Sequence, residues 1–235
     1  MISDLGKARI RGVIGGAIII LCMVGVAIGI ILGIIGVRSG GFLAIIVYVS
    51  FGFVLGYLSI VFSCLGWILV LISLYMLSRF YGEGGIFRNA LYFTILYIVG
   101  IAVGTIAIFG WRFISEIFGL TEGGALGAAP VLWLVFFALA SYFMYMSLSF
   151  LAWHSGVTLF RAAGALLLIG ALLELILTGI LVLGGALAEG LIPRQLIPLM
   201  AQVLLLGLLL GLLVLTASAI FLTMGFLKVK PFRQW

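Results

Sequence analysis

Between Arg38 and Arg79 the chain runs through forty consecutive residues without a single Asp, Glu, Lys or Arg. A stretch of that kind has no stable place in water. As one helix it would be about 60 Å long at 1.5 Å per residue, twice the hydrocarbon thickness of a bilayer. The rest of the chain follows the same pattern, with charges that occur singly and apolar runs of membrane-crossing length between them. Hydrophobic residues make up 66% of the 235 and charged residues 8%, and the mean hydropathy is +1.49. A soluble domain is about 45–50% apolar and about 25% charged. A water-soluble globular domain is therefore excluded, as is intrinsic disorder, which needs low hydrophobicity and high charge. Lipid offers no partner to backbone N–H and C=O groups, so these runs are predicted to be helices. The fold class expected is an all-α polytopic membrane protein.

The charges divide the chain into predicted spans at 12–37, 53–78, 87–110, 131–152, 162–188 and 199–227. The basic start MISDLGKARIRG leads into an apolar run of 26 residues, Gly12–Val37. That is longer than a signal-peptide core of about 7–15 residues, and no clear cleavage site follows, so it is expected to be an uncleaved first span. The stretch 40–52 has two readings: an apolar interfacial segment before the second span, or an extra span that raises the total to seven. Counting cations separates them. Six spans place Lys7, Arg9, Arg11, Arg79, Arg88, Arg161, Lys228, Lys230 and Arg233 on one side against Arg38, Arg112 and Arg194 on the other. Seven spans divide them almost evenly. Cytoplasmic loops are enriched in Lys and Arg, so six transmembrane helices with both termini cytoplasmic are expected, seven being the alternative. Trp111 and Trp133 then fall at the outer interface and Trp153 at the inner one, while Trp67 falls mid-span and fits no aromatic belt. Arg112 and Glu116, one turn apart in the outer loop, are expected in a short interfacial helix.

An internal echo adds a weak parallel repeat of helical hairpins. Tyr75-Met76-Leu77-Ser78 precedes Gly85-Ile86-Phe87-Arg88-Asn89-Ala90, and Tyr145-Met146-Ser147-Leu148-Ser149 precedes Gly156 and Leu159-Phe160-Arg161-Ala162-Ala163. Both run from the end of one span through a short turn into an F-R-x-A helix start. Such repeats occur in transporters and equally in proteins that transport nothing.

The stretches GWILVLISLYMLSRFYGEGGIFRNAL (Gly66–Leu91) and GVTLFRAAGALLLIGALL (Gly156–Leu173), with the opening RGVIGGAIIIL (Arg11–Leu21), resemble an archaeal family of multi-pass membrane proteins of unknown function. The resemblance covers roughly residues 7–185. It departs from the family pattern around Gly40–Gly52 and again after Gly184. It implies several helices and a plasma-membrane location, and it lends no activity, substrate or site residue.

Several chemistries are excluded by what the chain lacks. The scattered cations form no basic patch or stripe, so no nucleic acid partner is expected. Cys22 and Cys64 stand alone inside apolar runs and read as small buried apolar side chains. One histidine, His154, cannot by itself hold a haem, copper or zinc centre. No Gly-rich phosphate loop occurs. No nucleophile–base pair is visible, so no enzymatic activity and no cofactor are expected.

What remains is a small set of candidates. Glu174 is the sharpest, because it sits at the middle of the fifth span. An ionised carboxylate there costs about 2.5–3.5 kcal/mol on insertion scales, so it is expected to be protonated, paired or facing water. Thr178 lies one turn on, on the same face. The functional reading of Glu174 is a proton or cation site, and the structural reading is a carboxyl hydrogen-bonded to a Thr, a Tyr or a carbonyl on a neighbouring helix. Glycines at one-turn spacing let helix backbones approach closely in lipid, and Gly25, Gly29, Gly33, Gly100, Gly104, Gly207 and Gly211 are the candidates for such packing. Arg88 and Arg161, at matching repeat positions, and His154 are candidate contacts to lipid or to a partner.

Two functions fit this inventory. The first is an accessory or structural subunit of a larger membrane complex, an energy-transducing one for example, surrounded by membrane lipids and other transmembrane subunits. The alternative is a small-solute or proton/cation transporter or channel that uses Glu174.

Overall fold

In a computed structural model of the protein, the structure describes residues 2–38, 42–109, 122–187 and 197–229. Among these are six helices: α1 (Ile2–Arg38), α2 (Phe42–Tyr81), α3 (Gly84–Phe109), α4 (Glu122–Ser155), α5 (Leu159–Leu187) and α6 (Ile197–Lys228). All six are long and apolar enough to cross a membrane. The protein is thus all-helical with six membrane-spanning helices among the described residues, as the charge count favours. The stretch from Phe42 to Gly52, for which an interfacial segment or an extra span was the expectation, continues one 40-residue helix. The physical reason is plain: apolar residues with no Pro and no charge give a helix no cause to stop, so the end of a span is not the end of a helix. Arg112 and Glu116 lie outside the described residues, as do Trp111 and the loop 188–196.

The helices form a closed ring. Each packs on its neighbour in sequence, and α6 returns to α1. Arg9 Nη2 donates to the Leu227 carbonyl at 2.7 Å, which joins the start of α1 to the end of α6. The seam between α2 and α3 is the thinnest of the six.

The starts of α1, α3 and α5 and the ends of α2, α4 and α6 share one end of the bundle, and three hydrogen bonds of one kind hold it. Ser73 Oγ on α2 donates to the Ala8 carbonyl on α1 at 2.7 Å. Ser147 Oγ on α4 donates to the Ile86 carbonyl on α3 at 2.6 Å. Ser218 Oγ on α6 donates to the Ala163 carbonyl on α5 at 2.8 Å. Each serine lies buried in the second helix of a hairpin and reaches the opening turns of the first. The bundle is therefore three clamped pairs, α1–α2, α3–α4 and α5–α6. Lys7, Arg9, Arg11, Arg79, Arg88, Arg161 and Lys228 all belong to this end.

The turn between α2 and α3 shows how the sequence closes a hairpin there. Gly82 takes a left-handed conformation with φ of 69°, and the Glu83 N–H reaches back to the Ser78 carbonyl at 3.1 Å. This pattern satisfies the carbonyls that a helix end leaves bare. Glu83 Oε1 then accepts the Gly85 N–H at 2.9 Å and caps the start of α3. Gly156, with φ of 68°, makes the corresponding turn between α4 and α5. The two halves of the sequence echo thus fall on two like-sided turns.

Candidate functional site

Toward the charged end the centre of the bundle is filled by buried side chains. Ile19, Val70, Phe93, Ala140, Met144, Ala163 and Ala219 come from all six helices and are almost wholly buried. Phe160 and Phe226 meet edge to face at 5.2 Å below them. One or two turns further along each helix the packing opens into a cavity of about 500 Å³. Every helix contributes to its wall: Cys22 and Met23 from α1, Ser59, Ser63 and Trp67 from α2, Tyr97, Ile101, Gly104 and Thr105 from α3, Trp133 and Phe137 from α4, Leu167 and Glu174 from α5, and Leu212 and Leu215 from α6. The packed layer closes the cavity toward the charged end.

The wall is largely aromatic on one side. The rings of Trp133 and Phe137 stack in parallel at 5.6 Å, Tyr97 lies 5.9 Å from Phe137, and Trp67 tilts against Phe93 at 4.9 Å. Trp67, which fits no aromatic belt, is thus a cavity residue. Trp133 is another. A tryptophan buries most of its surface wherever a concave apolar wall is available, and Trp133, two residues into a candidate span, lines the cavity from the end of the bundle away from the charged one.

Glu174 stands on this wall. Its side chain crosses toward α6 over Gly211, where a Cβ would lie 2.7 Å from Glu174 Cγ and 3.0 Å from Oε1. Glycine at 211 leaves the room through which the carboxyl reaches the cavity. Among the described residues Glu174 makes no hydrogen bond and no ion pair, and Thr178, one turn on, does not reach it. Glu174 is half-buried, and its unpartnered carboxyl on the cavity wall is open to a ligand or to water.

Other candidates sit elsewhere. A Cβ at Gly25 would meet Ser59 Oγ, one at Gly100 would lie 2.7 Å from Phe136 Cβ, and one at Gly207 would lie 2.6 Å from Leu177 Cδ1. Gly29 is buried and Gly104 lines the cavity, while the surroundings of Gly33 lie outside the described residues. The tightest approach of backbone to backbone is one the one-turn spacing did not single out: a Cβ at Gly15 would lie 2.6 Å from the Gly66 carbonyl oxygen. Cys22 is buried on the cavity wall, but Cys64, expected to be buried, faces outward. Arg88 and Arg161 are exposed at the charged end. His154 is half-buried within the chain's own contacts: Nδ1 is 2.8 Å from the Phe150 carbonyl oxygen and Nε2 is 3.7 Å from Glu83 Oε2.

Comparison with known proteins adds a family and a relative. A protein of Methanocaldococcus jannaschii, itself described as uncharacterised, is 30% identical over 123 residues, which are 50% of this chain and 69% of that one. No solved structure matches the chain. A family of proteins of unknown function, DUF996, matches residues 61–187. Gly66–Leu91 and Gly156–Leu173 lie inside that match, Arg11–Leu21 before it. Trp67, Tyr97, Trp133, Phe137, Leu167 and Glu174 all lie within it too, so the greater part of the cavity wall comes from the segment that defines the family. The chain belongs to DUF996, the family of proteins of unknown function that its two hairpin motifs resemble.

Proposed function

We propose that the protein is a carrier of small solutes in the plasma membrane, with Glu174 as the group that exchanges a proton or cation for the solute. The observation that carries this reading is the unpartnered Glu174 carboxyl on the wall of a 500 Å³ cavity inside the helix ring. Ligand cavities are typically about 300–1,000 Å³, mainly apolar, with a few convergent polar groups. Ionisable groups at membrane depth mark ion and substrate paths. The thin seam between α2 and α3 gives the cavity a lateral route to the bilayer. The charged end faces the cytoplasm, because its seven described cations obey the positive-inside rule there. No bond is made or broken in such a role, so the protein acts without catalysis and without a cofactor.

The accessory-subunit reading has the glycine content in its favour. Yet Gly25, Gly100, Gly207 and Gly211 meet side chains of this same chain, which fits a self-contained bundle better than a partner-facing one. The test uses purified protein in liposomes loaded with a pH-sensitive dye and exposed in turn to organic cations, amino acids and inorganic cations. Proton movement that follows one solute class and disappears in Glu174→Gln is the expected result. Proton movement that survives Glu174→Gln overturns the role of Glu174 as the exchanging group. The absence of any solute-driven movement from a protein that co-purifies with other transmembrane subunits overturns the carrier reading.

A further inference from the structure

The electrostatic character of the cavity specifies what it takes. Among the described residues that line it there is no Lys, Arg or His, and Glu174 is the one acid. Trp67, Tyr97, Trp133 and Phe137 bring four aromatic rings to the same wall, and the face of each ring carries a negative quadrupole. Ser59 adds a hydroxyl oxygen. The fixed features of the wall thus favour positive charge: a carboxyl without a partner and rings that attract cations. A small hydrated metal ion matches only part of this, since hard cations are held by several oxygen ligands and the remaining wall is apolar. An organic anion meets no positive group at all.

Resting on the carrier reading for its route to the site, we infer that the ligand is a lipophilic organic cation. Its charged centre pairs with Glu174, its apolar or aromatic substituents pack on Trp67, Tyr97, Trp133 and Phe137, and it enters from the bilayer along the α2–α3 seam. The pairing is reciprocal. The ligand neutralises a carboxyl that this chain leaves unpaired, and the carboxyl replaces the water that the cation loses.

Two ions of nearly the same shape and opposite charge make the test direct. Tetraphenylphosphonium and tetraphenylborate are titrated against the purified full-length protein in detergent, with tryptophan emission and equilibrium dialysis as readouts. Tetraphenylphosphonium is expected to bind and to perturb the emission of Trp67 and Trp133. Glu174→Gln should weaken binding by about thirtyfold or more, the loss typical of removing one partner of a desolvated charge pair. Tyr97→Leu, which leaves the carboxyl in place, should weaken it several-fold through the lost cation–π contact. Thermal unfolding of each variant checks that the fold is retained. Equal binding of tetraphenylborate, or unchanged tetraphenylphosphonium affinity in a folded Glu174→Gln protein, overturns the assignment, and solute-driven proton flux with another solute class would leave the carrier reading standing. Tetraphenylphosphonium bound through Glu174 but never moved across liposomes would instead overturn the carrier reading and keep the ligand class.

Discussion

Gly15→Ala should destabilise the protein, although alanine is the better helix former. A Cβ at this position lies 2.6 Å from the Gly66 carbonyl oxygen and 3.0 Å from both Leu69 Cβ and Val70 Cγ2. An ordinary C–H···O approach is about 3.3 Å or more, so α1 and α2 must separate by roughly 0.7 Å at their closest point. The obstacle is backbone, which no rotamer change relieves. Over-packing of this kind costs about 1–3 kcal/mol, against which the helix gains about 1 kcal/mol from losing a glycine. The net loss is about 0–2 kcal/mol. Gly179→Ala is the matched control, because nothing lies within 4 Å of its Cβ position. It keeps the propensity gain without the clash, so the two variants should differ by the clash alone, about 1–3 kcal/mol. Reversible unfolding in mixed micelles, titrated with a denaturing detergent and followed by tryptophan fluorescence, measures the difference. If Gly15→Ala is as stable as Gly179→Ala, α1 and α2 do not meet at Gly15 and Gly66, and the placing of Cys22 and Ser63 on one cavity wall fails with it.

Two further outcomes are expected. Ser147→Ala removes the buried hydroxyl that binds the Ile86 carbonyl and should cost about 0.6 kcal/mol and at most about 1.7, the range for hydrogen bonds between helices in membranes; the same detergent titration reads it, and a cost above about 3 kcal/mol would mean that the serine does more than clamp one hairpin. Cleavable tags at the two ends of the chain should both be cut from the cytoplasmic face in inverted vesicles and both be protected in right-side-out ones; cleavage of one without the other would overturn the proposed topology.

The sequence made some of this legible and concealed the rest, for physical reasons. That the chain spans a membrane six times can be read because lipid excludes charge, and Arg11, Arg38, Arg79 and Arg161 punctuate the apolar runs. Helix ends cannot be read the same way, because the backbone needs its hydrogen bonds on either side of the hydrocarbon boundary. Phe42–Tyr81 accordingly runs on as one helix where a break was expected. Glu174 could be read because a lone charge in an apolar run is costly. The cavity around it could not, since Trp67, Tyr97, Trp133 and Phe137 come from three different helices and each looks like ordinary apolar filling. The misfit of Trp67 with any aromatic belt was the one available signal. Glycine spacing indicates that a backbone can be approached, not which helix approaches it; hence the Gly15–Gly66 contact escapes a search for one-turn steps. Outward-facing Cys64 has the same explanation: in lipid, an apolar residue gains little by turning inward, so apolarity alone does not assign a face.

The distribution of packing across the bundle bears on how the proposed carrier would work. At the charged end each hairpin is pinned by a buried serine, the turns are capped, and side chains from six helices fill the centre. Further along, α2 and α3 touch least, and these two helices supply Ser59, Ser63, Trp67, Tyr97, Ile101 and Thr105 to the cavity. Stability is therefore uneven along the bundle axis, and regions with few buried contacts open at the lowest free energy. A ligand entering between α2 and α3 needs only that seam to widen. At the Gly82 turn the Glu83 cap and the Ser147 clamp tie down the start of α3. Glu174 lies across the ring from that seam, on α5 against α6, so a cation entering as proposed would pass the aromatic wall before it reached the carboxyl. On the proposed route rings come first and charge second, an order that would admit a molecule carrying its own apolar surface and leave a hydrated ion in water.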